Sequence, residues 1–276
     1  MGETANQEKC CEIVVRILEK ITHSKRTNES SPDKEDRNNK ATELHVELNK
    51  NSYWIEHTQI EPYENALRSN SKFSKIHDEL EKQKFANVPS HASVQISFSH
   101  KLYEVSDREV GQFARKSALW INSILPRSED LGDHKFFEDS TIIDEIELKV
   151  LITTKGLGGS MLFSRFPPMN LEISRLTRTK RAFTEKSKKF SAFTASKDKS
   201  VLVLEFNDIA LSEPNLIINK IEQVYQAKNI NRNEAPILDE VFLIDSDEDR
   251  WMVWHVIHDQ KLCSKRREPI PKTWYQ

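Results

Sequence analysis

Hydrophobic and polar positions follow two distinct rhythms along the chain, and these rhythms predict most of its elements. In residues 4–23, Cys10, Ile13, Val14, Ile17, Leu18 and Ile21 recur at helical spacing, with Glu12, Arg16, Glu19 and Lys20 mostly opposite. That is the pattern of an amphipathic helix. Residues 24–40 are nearly all polar and predict a flexible, solvated loop. Residues 42–48 then alternate strictly, with Leu44, Val46 and Leu48 on one face and Glu43, His45 and Glu47 on the other. The turn Asn49-Lys50-Asn51 leads into a β-branched and aromatic stretch over 53–60, so a tight hairpin is predicted.

Further along, the spacing predicts helices over 71–84 and 107–125, the second burying Val110, Phe113, Ala114, Leu119 and Ile121. Strands are predicted over 93–98, 146–153 and 171–173, with a loop over 156–168. A helix over 175–194 follows, then a continuous apolar run over 201–206 that reads as a buried parallel strand. A helix over 213–228 and strands over 240–244 and 251–258 close the chain. Alternating helices and strands give the α/β class, with a mixed central sheet flanked by helices. One domain over residues 1–276 is expected, with a helical insertion over 101–145.

Composition narrows the function. The chain has 276 residues, a mean hydropathy of −0.64 and a formal net charge of −2. No apolar run approaches the ~18 residues of a membrane span, and no basic-then-apolar leader opens the sequence. Six glycines are few for this length, and neither G-x-x-x-x-G-K-[ST] nor G-x-G-x-x-G occurs. Phosphate-cradling P-loop and dinucleotide-binding folds are therefore disfavoured. The three cysteines, Cys10, Cys11 and Cys263, form no C-x-x-C pair. A zinc ribbon is thus not expected, and a reducing, cytoplasmic setting is.

The hairpin holds the richest chemistry. Glu43, His45 and Glu47 share the polar face of its first strand, and Trp54, Glu56 and Thr58 share one face of its second. Carboxylates on neighbouring strands repel one another unless water or a cation separates them. Acids from two adjacent strands suit Mg²⁺, which takes one or two carboxylates plus waters and phosphates. The plainer alternative is a hydrated sheet face.

The text Tyr53-Trp54-Ile55-Glu56-His57-Thr58-Gln59-Ile60-Glu61-Pro62-Tyr63 resembles an "(I/L)EHTxIEP(F/Y)" signature. It belongs to a family of bacterial proteins that look like PD-(D/E)xK, restriction-endonuclease-like nucleases. Arg181-Ala182-Phe183, Lys186, Lys189-Phe190, the strand Val201–Glu205 and Asn207–Leu211 are similar to that family's C-terminal half, so the likeness spans about half the chain in blocks. In that superfamily an acid on one strand and E-x-K on the next bind a metal and activate water for phosphodiester cleavage. The resemblance implies a restriction-endonuclease-like fold and a Mg²⁺- or Mn²⁺-dependent DNA nuclease, with bacterial anti-phage defence or DNA processing as its setting. It places Glu43 or Glu47 at the acid position and Glu56 at the glutamate of E-x-K, with these three as the metal ligands. Glu12 matches an extra acid on the first helix. The lysine position is Thr58, and no Pro-Asp precedes the strand. Lys186 or Lys189 could replace that lysine from the basic helix, or the fold could be kept without the activity. His57 or His45 could assist proton transfer near neutral pH, although alternation points His57 away from Glu56.

The basic helix, with Arg178, Arg181, Lys186, Lys188 and Lys189, fits a phosphate-backbone surface. Its alternative is a solvated helix whose cations pair with the acidic stretch over 129–147. The partner expected is DNA, with RNA, a homodimer or a protein partner left open; an inactive nucleic-acid-binding or interaction protein is the alternative to the enzyme. Asp208 stands where open α/β sheets place ligands, at the carboxyl end of a strand. Strand alternation puts Trp254 and His258 on one face and His255 on the other, so His255 and His258 are expected to make a poor metal pair.

Overall fold

The computed structural model describes residues 2–32, 42–85, 88, 90–128, 131, 136–154, 159–192, 198–207, 213–230, 238–246 and 251–274. Asp208 and residues 33–40 of the polar stretch lie outside the described residues, as do residues 129, 130 and 132–135 of the acidic stretch. The protein is a mixed α/β protein. It divides into two compact units, Met1–Pro62 with Glu172–Gln276, and Tyr63–Leu171. Residues 101–145, expected as a helical insertion, fall in the second unit and hold both a helix, Val110–Ile124, and a strand, Phe136–Ile143.

The first unit begins with helix α1 (Gly2–Thr22). Strands β1 (Asn28–Ser30), β2 (Leu44–Leu48) and β3 (Asn51–Gln59) follow, so part of the polar stretch is an edge strand. After the second unit the chain returns as helix α4 (Leu171–Ser187), a 3₁₀ extension Lys188–Ala192, β8 (Asp198–Phe206) and α5 (Pro214–Ile230). It ends in β9 (Glu240–Asp245), β10 (Met252–His258) and β11 (Lys261–Pro269). Residues 171–173, read as a strand, open α4 instead. The seven strands are ordered β1-β2-β3-β8-β9-β10-β11. β3, β8 and β9 run parallel and the outer pairs antiparallel.

Both faces of this sheet are covered, which explains the unbroken apolar run of β8. Val201 and Val203 pack with Ile13, Val14, Ile17 and Leu18 of α1. Leu202, Leu204 and Phe206 pack with Phe183 of α4 and Phe190 of its extension, and with Ile217, Ile218 and Ile221 of α5. Burying one such side chain is worth roughly 1.5–3 kcal/mol, and the run places all of them without a polar interruption until Glu205.

The second unit carries α2 (Ala66–Glu81), β4 (Ser93–Ser99), α3 (Val110–Ile124), β5 (Phe136–Ile143), β6 (Ile146–Thr153) and β7 (Ser160–Phe166). Its sheet order is β5-β6-β4-β7. Val94, Ile96, Phe98, Leu148 and Val150 pack with Phe113, Ala118 and Ile121 of α3. Leu119, expected in this core, is 72% exposed; it falls one residue off the stripe set by Ala114, Ala118 and Ile121.

Scarce glycine does not prevent tight turns. The β2–β3, β5–β6 and β10–β11 hairpins close through Asn49-Lys50, Asp144-Glu145 and Asp259-Gln260, and all six residues have positive φ. Two-residue loops with both φ values positive match the right-handed twist of the strands. Asn and Asp tolerate that region best among residues with a side chain. In β10 the register shifts between His255 and Ile257 on both sides, so Val256 and Ile257, adjacent in sequence, enter the same core. This bulge breaks the alternation on which the expected separation of His255 from His258 rests.

Candidate functional site

The sheet positions two sets of polar side chains in the first unit, one on each face. Leu44 pairs with Ile55 in the β2–β3 register, so Glu43, just before β2, stands opposite Glu56. On α4 and its extension, Phe183, Ser187 and Phe190 are buried. Lys186 and Lys189, one turn apart, reach Glu56 from there. Lys186 Nζ lies 2.5 Å and Lys189 Nζ 2.7 Å from Glu56 Oε1, and Lys186 Nζ is 4.0 Å from Glu43 Oε1. Glu56 thus pairs with two lysines that lie 130 residues or more downstream in the chain. Thr58 itself is half-buried, opposite Leu204.

Glu56 is completely buried, and its Oε2 has no hydrogen-bond partner. A carboxylate oxygen left bare in the interior is costly unless it meets a proton, a water or a cation. Glu43 accepts the backbone N–H of His57 at Oε2, 2.8 Å away. Burial, then the Glu56 charge, pushes Glu43 up to about 7, against the opposing pull of His57 and Lys186. Two carboxylates with an orphaned oxygen and a raised pKa suit a divalent cation, which relieves both the repulsion and the missing partner.

On the opposite face the imidazole of His57 lies against Glu205, with Nε2 2.9 Å from Glu205 Oε2. Asn6 donates to Glu205 Oε1 at 3.2 Å, and the Ser246 hydroxyl donates to the same oxygen. Burial alone would raise Glu205, but the hydrogen bonds and charge of His57, with those of Ser246 and Asn6, hold it below the ordinary carboxylate range. Burial and the Glu205 charge push the Cys10 thiol up, and burial and the Glu43 charge do the same to Cys11. Neither cysteine is therefore an activated nucleophile.

The structure brings together Glu43, Glu56, Lys186 and Lys189. It does not bring Glu47 to them: Glu47 pairs with Ser52 at the far end of β2. Nor does the His57 ring join them, because side chains alternate along β3 and its neighbour Glu56 takes the other face; only its backbone N–H reaches Glu43. His45 stacks on Trp54, with centroids 4.2 Å apart. Glu12 is held by Arg26 and Arg16 at 2.6–2.9 Å, and against burial these two arginines pull its pKa down. Among the other expected nucleic-acid contacts, Arg178 pairs with Glu61 and Arg181 with Glu185, while Lys188 is exposed. Glu205 and Ser246 were not marked as site residues by sequence spacing. The signal was present for Glu205, a lone acid inside the apolar run Val201–Phe206; Ser246 carries none.

A comparison with protein-family models, curated proteins and solved structures finds no match. Among the described residues no helix is long and apolar enough to cross a membrane.

Proposed function

We propose that the first unit is a metal-dependent nuclease of the restriction-endonuclease-like, PD-(D/E)xK type, with DNA as substrate. The observation that carries this reading is the convergence of Glu43, Glu56, Lys186 and Lys189. It supplies two acids on adjacent strands and replaces the E-x-K lysine from a helix. Also in its favour are the mixed sheet and the parallel β3–β8 pair beside the acidic hairpin.

Glu43 and Glu56 would hold a Mg²⁺ or Mn²⁺ ion, whose chemistry there is Lewis-acid polarisation of a phosphoryl oxygen. Lys186 and Lys189 place two positive charges beside the acids, where they orient a phosphodiester and offset charge that builds on it. Without an ion Glu43, near 7, holds a proton for part of the time at neutral pH, and a bound cation would displace it. Exposed Lys188, with Arg178 and Arg181 on the same helix, lies along the approach for a phosphate backbone.

The test is cleavage of supercoiled plasmid DNA with Mg²⁺ or Mn²⁺. Wild type is expected to nick it, and Glu56→Gln to lose at least about a hundredfold, the scale of one charge-stabilising group, while keeping the far-UV circular dichroism of the wild type. Undiminished cleavage by that variant removes Glu56 from the chemistry. A second reading, a nuclease fold retained for binding alone, is favoured by Thr58 at the lysine position. It predicts salt-dependent DNA binding and no cleavage with any divalent ion.

A further inference from the structure

We propose a second metal site in the first unit, independent of the nuclease reading: a transition-metal site of the Zn²⁺ class formed by Glu240, His255 and His258. The β10 bulge makes it. A regular strand would send residues three apart to opposite faces, but the extra residue at Val256 turns His258 to the face of His255. That face is also the one presented by Glu240 on the neighbouring strand. Phe242, directly across from His255, stacks on its ring with centroids 4.2 Å apart and planes 14° apart, fixing the imidazole.

The donor atoms converge. His255 Nε2 is 2.5 Å from Glu240 Oε2, and His258 Nδ1 is 3.0 Å from Glu240 Oε1. All three groups place a ligand atom within 4.8 Å of the others. Two imidazoles and a carboxylate match the preference of Zn²⁺, and three protein ligands leave a fourth, open position, as in catalytic rather than structural zinc sites. Glu240 and His255 are buried while the His258 side chain is 41% exposed, so the site has both a dry side and a route for an ion. His255 is at the same time a wall of a cavity of about 340 Å³ that Ile17, Ile21, His23 and Glu268 also line. The other imidazole nitrogen of His258, Nε2, faces Asp259 Oδ2 at 3.8 Å, beyond hydrogen-bond length.

The experiment uses the full chain, stripped with a chelator and titrated with Co²⁺ in an excess of Mg²⁺, which competes for carboxylate-only sites without displacing Co²⁺ from nitrogen ligands. One Co²⁺ per chain is expected, with four-coordinate d–d absorption that Zn²⁺ abolishes stoichiometrically. His258→Asn, at a partly exposed position, should retain wild-type far-UV circular dichroism and weaken binding by more than about a hundredfold. Absence of Co²⁺ binding overturns the proposal, as does unchanged binding in His258→Asn. Loss of the signal in His77→Ala instead also overturns it, since that would assign the ion to the exposed His77, Asp78 and Glu81 cluster on α2.

Discussion

Strands β8 and β6 are built on different plans, and the contrast separates the two units. From Ser200 to Phe206 β8 is buried at every position, because α1 covers one face of its sheet and α4 and α5 the other. β6 alternates: Ile146, Leu148, Val150 and Ile152 are buried, while Glu147, Lys149 and Leu151 are half-buried or exposed on the other face. The consequence for chemistry is large. Among the described residues of the first unit, Glu56, His57, Glu205, Asp239, Glu240 and His255 are buried. In the second unit the buried polar residues described are Ser69, Ser99 and Ser117, none of them ionisable in the ordinary range. Only a sheet covered on both faces can seal charged groups from water, and it keeps them only where they pair.

The largest expected effect tests that pairing. Glu205→Ala removes the acceptor for His57, Ser246 and Asn6 in one step, and breaking a buried charged network from one side costs about 3–5 kcal/mol. Urea unfolding followed by a first-unit probe, such as the buried Trp251 or Trp254, should show this loss. A change below about 1 kcal/mol would mean that the interior tolerates a bare imidazole there, and the contrast between the units would lose its physical basis.

Much of the first unit was legible because its signals are local. The α1 stripe, the β2–β3 alternation and the apolar run of β8 each report burial through spacing alone, and Asn49-Lys50 is a turn pair of a familiar kind. The second unit and the last hairpin hid strands β5, β7 and β11. Their turns use Asp144-Glu145 and Asp259-Gln260, which carry no glycine to mark them. β7 carries a mixed polar pattern, with no residue below half-buried. At the candidate site, Glu43 and Glu56 followed from strand register. The choice of Glu43 over Glu47 needed the end of the hairpin that faces α4. The pairing of Lys186 and Lys189 with Glu56 spans 130 residues or more, and no periodicity carries that. Alternation separates His255 from His258, whereas the bulge in β10 reverses the parity and brings both to one face, a device that leaves no mark in composition.

A smaller effect sharpens the comparison through pH. Glu43 titrates near 7 in the folded protein against an ordinary 4.5, with burial as the main cause. The native state then holds this proton more tightly than the unfolded chain does. Stability is full below about 4.5, falls as pH rises from there to 7, and stays lowered above. At 1.36 kcal/mol per unit this is on the order of 3 kcal/mol before solvent screening. Glu43→Gln removes the slope, so the variant should exceed wild type in stability by about 1–3 kcal/mol at pH 8 and match it at pH 4. Urea midpoints across that range measure it, and parallel curves for the two proteins would show that Glu43 titrates normally. Mg²⁺ should raise the wild-type curve above pH 7 and leave the variant's unchanged, because a cation favours the charged carboxylate.

The smallest effect comes from the second unit and, unlike that of Glu205→Ala, is stabilising. Ser117 Oγ is buried in α3 without a hydrogen-bond partner, as Glu56 Oε2 is in the first unit, but no ion pair is made by this side chain. Its neighbours in the core are apolar, among them Phe113, Ala114 and Ile121. An unpaired buried hydroxyl costs free energy, and serine is a weaker helix former than alanine by up to about 0.7 kcal/mol. Ser117→Ala removes both penalties with a loss of one oxygen atom and no void worth filling. It should stabilise the second unit by about 0.5–1.5 kcal/mol, read as a higher urea midpoint in a second-unit probe such as Trp120. The corresponding change in the first unit, Glu56→Gln, also removes a charge beside an orphaned oxygen. There the two lysines lose their anion, so stability should not rise in the same way. If Ser117→Ala destabilises, the hydroxyl has a partner after all, and the second unit's core is not the purely apolar interior that its burial pattern describes.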